Sequence, residues 1–122
     1  MSEVLAIQVG NMKYIDQRDE LGRSYIGYSP SMNDEEIYQA SRGFWTLNPS
    51  RTFKVDRVFI VYKESIVLDL ELTGIQKINN GKYYISGSSI EDSEFVGKNI
   101  QLNKSQNRIN YINVDDLPTK IY

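Results

Sequence analysis

The chain has 122 residues, 40% hydrophobic and 25% charged, which fits one globular domain over residues 1–122 with a single core of ordinary size. It contains neither cysteine nor histidine, which excludes disulfides, thiolate nucleophiles, Ser/His and Cys/His pairs and most transition-metal sites. Its net charge of −2 excludes a global basic field, so nucleic-acid binding would need a local basic patch.

No apolar run approaches the roughly 18 residues of a membrane span, and the start MSEVLAIQVGN has no basic leader, so the expectation is a cytoplasmic protein without a membrane partner. No cofactor or metal site is signalled.

In chain order, residues 3–9 alternate imperfectly and close on Gly10-Asn11, which predicts a strand and a turn. Residues 12–15 predict a second short strand, 16–23 an exposed loop and 24–28 a third strand, ended by Pro30. Asn33 and Glu36 form a capping box, Met32 and Ile37 sit as a hydrophobic staple, and Gly43 follows Arg42 as a stop; the spacing predicts a helix over 34–42. Asn48-Pro49 predicts one helical turn over 49–53.

The run VDRVFIVYKESIVLDLELTGI predicts a hairpin turning at Lys63-Glu64-Ser65. Within it Ile66, Leu68, Leu70 and Leu72 oppose Val67, Asp69 and Glu71, so one face should be buried and the other wet. Asn79-Asn80-Gly81, between 75–78 and 82–86, predicts a second hairpin. A brief helix over 91–96, strands over 100–102 and 109–112 around NKSQNRIN, and an extended tail complete the series. The sum is an α+β fold: a small, mostly antiparallel curved sheet or pseudo-barrel with one inserted helix near 34–42.

Tyr25-Ile26-Gly27, preceded by Lys13-Tyr14-Ile15, resembles the paired words of the GIY-YIG nucleases. That resemblance implies Arg42 as the phosphate-holding arginine and Glu71 or Glu91 as ligand to a divalent cation. The first triplet lacks its glycine, Arg42 falls at the end of its helix, and the chain is strand-rich where that family alternates helices.

A longer resemblance covers 34–113, through EEIYQASRGFWTLNPSR, VDRVFIVYKESIVLDLELTGI, Gly81-Lys82-Tyr83, FVGKNIQ and SQNRINYIN. These segments resemble small prokaryotic and phage-associated domains of the PUA-like group, near the ASCH and EVE domains. The most specific words are Arg42-Gly43-Phe44-Trp45 and Val96-Gly97-Lys98. The resemblance implies a pseudo-barrel that binds nucleic acid or a nucleotide-like ligand, a modified base included, beside its inserted helix and without catalysis.

Tyr38, Arg42 and Trp45 fall on one stripe of the helix and its exit, with Ile37, Ala40 and Phe44 on the adjacent one. On the binding reading, Trp45 and Tyr25 or Tyr28 stack a base, worth about 1–3 kcal/mol per base. Arg42 then pairs with phosphate or a base edge, with Asn48 and Arg51 as further contacts. The alternative, in which Trp45 covers the core and Arg42 complements the helix dipole, stays open at this level.

Basic residues gather as Arg51, Lys54 and Arg57, and again as Lys98, Lys104 and Arg108. Ser105, Gln106 and Asn107 fit either a base edge or a solvated loop. Two other functions are compatible with the chain. One is a small protein-binding inhibitor from a phage or mobile element whose acidic surface meets a basic partner; the other is the metal-dependent nuclease.

Overall fold

The computed structural model describes residues 3–78, 81–102 and 108–122. Glu3–Gln8 forms β1, and the short strands Lys13–Tyr14 (β2) and Tyr25–Ile26 (β3) pair antiparallel beyond its end. Helix α1 (Asp34–Ser41) carries the full capping box: the Asn33 side chain accepts from the Glu36 N–H at 2.9 Å, and Glu36 accepts from the Asn33 N–H at 3.1 Å. Met32 packs against the apolar cluster that contains Ile37, as a staple should. The single turn α2 (Pro49–Thr52) is capped by Asn48.

Next come β4 (Val55–Tyr62), β5 (Ser65–Lys77), β6 (Tyr83–Ser89), β7 (Ile109–Asn113), a 3₁₀ turn over Val114–Asp116 and α3 (Leu117–Lys120). The larger sheet has the order β6-β5-β4-β1-β7; β1 and β4 are parallel and the other neighbours antiparallel. The fold is thus mixed α and β, strand-rich with few helices. The sheet is open, with β6 and β7 at its edges, and does not close into a barrel.

The β4–β5 hairpin turns on two residues, Lys63 and Glu64, both with positive φ (47° and 68°), and Ser65 already belongs to β5. A β-bulge then reverses one expected orientation. Val61 pairs with Ile66 and Ile60 with Leu68, so Val67 is the extra residue. Ile66 consequently joins Val4, Ala6, Phe59 and Val61 on one face, whereas Leu68 and Leu70 join Leu5, Ile7, Val58 and Ile60 on the other.

Both faces are covered, which corrects the one-wet-face expectation. Helix α1 lies on the Leu68 face through Ile37. The opposite face is sealed by Phe95, Ile100, Leu117 and Ile121 from the C-terminal third. Asp69, expected to be wet, is 1% exposed there, and Arg57 holds it in a bidentate ion pair at 2.8 and 2.5 Å.

Three other expectations change. The segment 91–96 makes turns rather than a helix, since its polar residues fasten it to the sheet: the Ser93 hydroxyl bonds the Asp69 carboxylate, and the Phe95 N–H bonds Ser93. Of 100–102, only Ile100 makes a strand contact, an isolated bridge to Ile121. The tail is helical rather than extended because Asn113 accepts from the Asp115 N–H and Pro118 sits in the first turn of α3. The two expected hairpins also share one strand, β5, which runs through Gly74. Asn79 and Asn80 of the second turn lie outside the described residues.

Candidate functional site

A cleft of about 630 Å³ opens where β1 ends. One wall is the β2–β3 hairpin, tied to the end of β1 by the Tyr28 N–H to Gly10 carbonyl bond and the Met12 N–H to Tyr28 carbonyl bond, both 2.9 Å. Gly27 makes this approach possible: its φ is +83°, and a Cβ there would lie 2.3 Å from the Asn11 carbonyl oxygen. Only glycine combines that dihedral with that contact.

The other wall is the exit of α1, residues 40–45. It is fixed to β6 by a reciprocal backbone pair between Trp45 and Tyr83, 2.9 Å each way, and by the Ile85 N–H to Arg42 carbonyl bond at 2.8 Å. Phe44 and Trp45 line the cleft from this wall, and Lys13 and Arg108, both exposed cations, also line it. Arg108 enters from the start of β7 and reaches the Gln8 carbonyl at 3.4 Å.

Between the walls lies Arg23, whose side chain is 6% exposed. Its Nε donates to Asp19 Oδ2 at 2.7 Å, and its Nη1 donates to the carbonyls of Ala40 (3.0 Å) and Gly43 (2.8 Å). Those carbonyls belong to the C-terminal end of α1 and its exit, where a cation complements the helix dipole. The Phe44 ring lies 5.2 Å from the guanidinium carbon. Asp19 in turn uses Oδ1 to accept the N–H groups of Leu21 and Arg23 at 3.0 Å each, which folds the 16–24 loop onto the helix exit.

Burial by itself raises the Asp19 carboxyl, but the hydrogen bonds from the Arg23 backbone and guanidinium, the Arg23 charge and the Leu21 N–H outweigh it and hold the group below its ordinary value of 3.8. A carboxyl that is more acidic folded than unfolded adds stability that is complete above the ordinary value and is lost as pH falls through the folded one. Urea unfolding across pH 3 to 7 should therefore show stability falling steeply at the acid end. In Asp19→Asn the neutral-pH stability should be lower and the acid decline shallower. An unchanged acid slope would remove Asp19 from that role.

Of the aromatic, arginine and asparagine residues expected to contact a ligand directly, Trp45 lines this cleft and Tyr25, Tyr28, Tyr38, Arg42, Asn48 and Arg51 do not. The Trp45 ring also packs on the core, and its Nε1 donates to the Ser41 carbonyl at 2.8 Å, so the core and cleft readings are both part of its position. Arg42 points elsewhere: its guanidinium lies between Tyr38 and Tyr84, 5.1 and 5.0 Å from their ring centres, and donates to the Ile85 carbonyl at 3.3 Å. Tyr38 accepts from the Gly87 N–H at 3.3 Å. Tyr25 packs edge-on to Tyr14, and Tyr28 packs on Tyr62.

Asn48 caps α2, and Arg51 is held by Glu3 at 2.6 and 2.8 Å over the Tyr111 ring. With Arg57 on Asp69, two of the three cations in the first basic group are spent on ion pairs. In the second group Arg108 lines the cleft, while Lys104, Ser105, Gln106 and Asn107 lie outside the described residues.

Lys13, Asp19, Arg23 and Phe44 belong to the cleft without having been chosen as site residues. The one local signal was an Asp-Arg pair four residues apart, spanning Gly22 in a polar loop. Lys13-Tyr14 and Tyr25-Ile26 do pair as adjoining strands, yet Arg42, Glu71 and Glu91 are not among the residues lining the cleft. Among the described residues no group of three or more acidic side chains is placed to hold a metal ion, and no helix is long and apolar enough to cross a membrane. No family model, curated protein or solved structure matches the chain.

Proposed function

We propose that the protein is a binding module that takes a nucleotide-like ligand, free or within a nucleic-acid strand, in the cleft between the β2–β3 hairpin and the exit of α1. The observation that carries this reading is the meeting of two aromatic residues, Phe44 and Trp45, with two exposed cations, Lys13 and Arg108, around a space of about 630 Å³. Pockets for small ligands span about 300–1,000 Å³, with apolar walls and a few placed polar groups. Rings offer a base its stacking surface, and the cations offer phosphate its counter-charge. The PUA-like pseudo-barrel belongs to the same proposal; its support is the insertion of α1 between β1 and β4 beside the cleft, together with the bulges that bend β5.

Trp45 is the only tryptophan, so its fluorescence reports directly on the cleft. Short single-stranded DNA and RNA, with and without modified bases, should change its emission at low salt. Arg108→Ala and Lys13→Ala should each weaken binding about tenfold and lower the salt dependence by about one phosphate contact. Both positions are exposed, so each variant should keep its stability within about 0.5 kcal/mol. Absence of any emission change or gel shift with all of these probes would sink the reading and leave a protein partner as the function to pursue.

A further inference from the structure

The polar side chains of the cleft are Asn11, Lys13, Asp19, Arg23, Trp45 and Arg108, and their hydrogen bonds leave an asymmetric inventory. Asp19 has spent both oxygens, three bonds in all, on Leu21 and Arg23. The oxygen of Asn11 accepts from the Tyr62 hydroxyl, and the Trp45 N–H is taken by the Ser41 carbonyl. Arg23 commits Nε to Asp19 and Nη1 to two backbone carbonyls, which leaves Nη2 as the guanidinium nitrogen without an acceptor among the described residues. That nitrogen is not among the sealed and unsatisfied atoms, although the side chain is only 6% exposed. The side chains therefore offer donors to a ligand, from Arg23, Lys13, Arg108 and the Asn11 amide nitrogen, and hold no uncommitted carboxylate.

We propose that Arg23 is the specificity-determining residue of the cleft, presenting Nη2 to the ring edge of the ligand, and that the ligand class is the keto base: guanine, uracil or thymine in preference to adenine or cytosine. This rests on the nucleotide reading of the cleft given above. The chemistry lies in which groups a base edge carries. Guanine shows O6 and thymine or uracil O4, both acceptors, whereas adenine and cytosine place an amino donor at the equivalent position; the N7 acceptor is common to both purines, so O6 and O4 carry the distinction. An amino group brought to Nη2 sets donor against donor, and the cleft has no free carboxylate to receive it.

Arg23 is also suited to the task by its rigidity. Asp19, Ala40 and Gly43 fix the guanidinium from three directions, and Phe44 backs it, so the donor is in place before a ligand arrives. Because Asp19 neutralises it, Arg23 serves as a directional donor, while Lys13 and Arg108 supply the net positive charge for phosphate.

The test is a titration of the full chain with GMP, UMP, AMP and CMP, which carry the same phosphate, at one salt concentration and followed through Trp45 emission. GMP and UMP should bind at least about tenfold more tightly than AMP and CMP, the discrimination that one good donor–acceptor pairing gives. Arg108→Ala should weaken all four in equal proportion. Arg23→Lys, checked by thermal melting, should bring the four dissociation constants together. If that variant does not fold, the ratio between keto and amino nucleotides in the unmodified protein decides the question. Four equal affinities, or a preference for AMP and CMP, would overturn the assignment to Arg23 while the cleft remained a nucleotide site. Failure of all four nucleotides and of single-stranded oligonucleotides to change the emission would overturn the nucleotide reading and this one with it.

Discussion

Replacing Arg57 by methionine is expected to cost about 3–5 kcal/mol of unfolding free energy, the range for removing one partner of a buried ion pair. Asp69 is 1% exposed, and without Arg57 its carboxylate keeps only the Ser93 hydroxyl as a side-chain donor. The arginine also lies 4.7 Å from the Phe95 ring, and the Ile90 N–H bonds the Asp69 carbonyl at 2.9 Å, so the same replacement loosens the segment that covers this face of the sheet. In a domain of this size the melting temperature should fall by about 10 °C or more. The double replacement Arg57→Met with Asp69→Leu should lose much less, since it leaves no buried charge behind. Urea unfolding of the two variants checks both statements; a single-variant loss below about 1 kcal/mol would mean that Asp69 is solvated once Arg57 is gone.

The second large effect is expected at Gly27, in the wall of the cleft. Alanine there would place its Cβ 2.3 Å from the Asn11 oxygen, 2.7 Å from the Asn11 carbonyl carbon and 3.0 Å from the Gly10 oxygen, all backbone atoms, at φ +83°. The dihedral alone costs roughly 1–2 kcal/mol, and crowding that displaces backbone adds about 1–3 kcal/mol. The expected loss is therefore about 2–5 kcal/mol, with the β2–β3 hairpin drawn off the end of β1 and the cleft opened. Gly22→Ala is the matched control: its φ is +76°, but a Cβ there meets nothing within 4 Å, so only the dihedral cost of about 1–2 kcal/mol should appear. Thermal melts compare the stabilities, and amide exchange at the Tyr28 N–H reads the wall directly. Equal losses for the two variants would show that the hairpin yields without disturbing β1.

What could be read along the chain was decided by neighbours in sequence. The start of α1 was legible because Asn33, Glu36, Met32 and Ile37 all lie within one turn of it, and α2 because Asn48 and Pro49 adjoin. The β4–β5 hairpin was legible because its β-branched runs flank a two-residue turn. The two faces of β5 were not, since the bulge at Val67 is defined by pairing with β4, and a one-residue slip sends every later side chain to the opposite face. Asp69 reads as a solvent-facing residue until Arg57, twelve positions earlier, is set opposite it.

The candidate site divides in the same way. RGFW marked the exit of α1, and three of its residues, Gly43, Phe44 and Trp45, do line the cleft. Arg42 does not, because Tyr84 of β6 arrives on its far side and completes a stack with Tyr38. The remaining cleft residues are Ala40 of α1, residues from 9–27 and Arg108, the last two groups brought together by the pairing of β1 with β4 and with β7.

The sequence by itself determined the local elements, the caps and the strand-rich composition of this protein, because propensities, caps and tight turns are satisfied within a few residues. Only the tertiary structure decided which cations stay free, which face each strand buries and where the cleft lies. Those depend on partners far apart in the chain: Glu3 holds Arg51, Asp69 holds Arg57, and the carbonyls at the end of α1 hold Arg23.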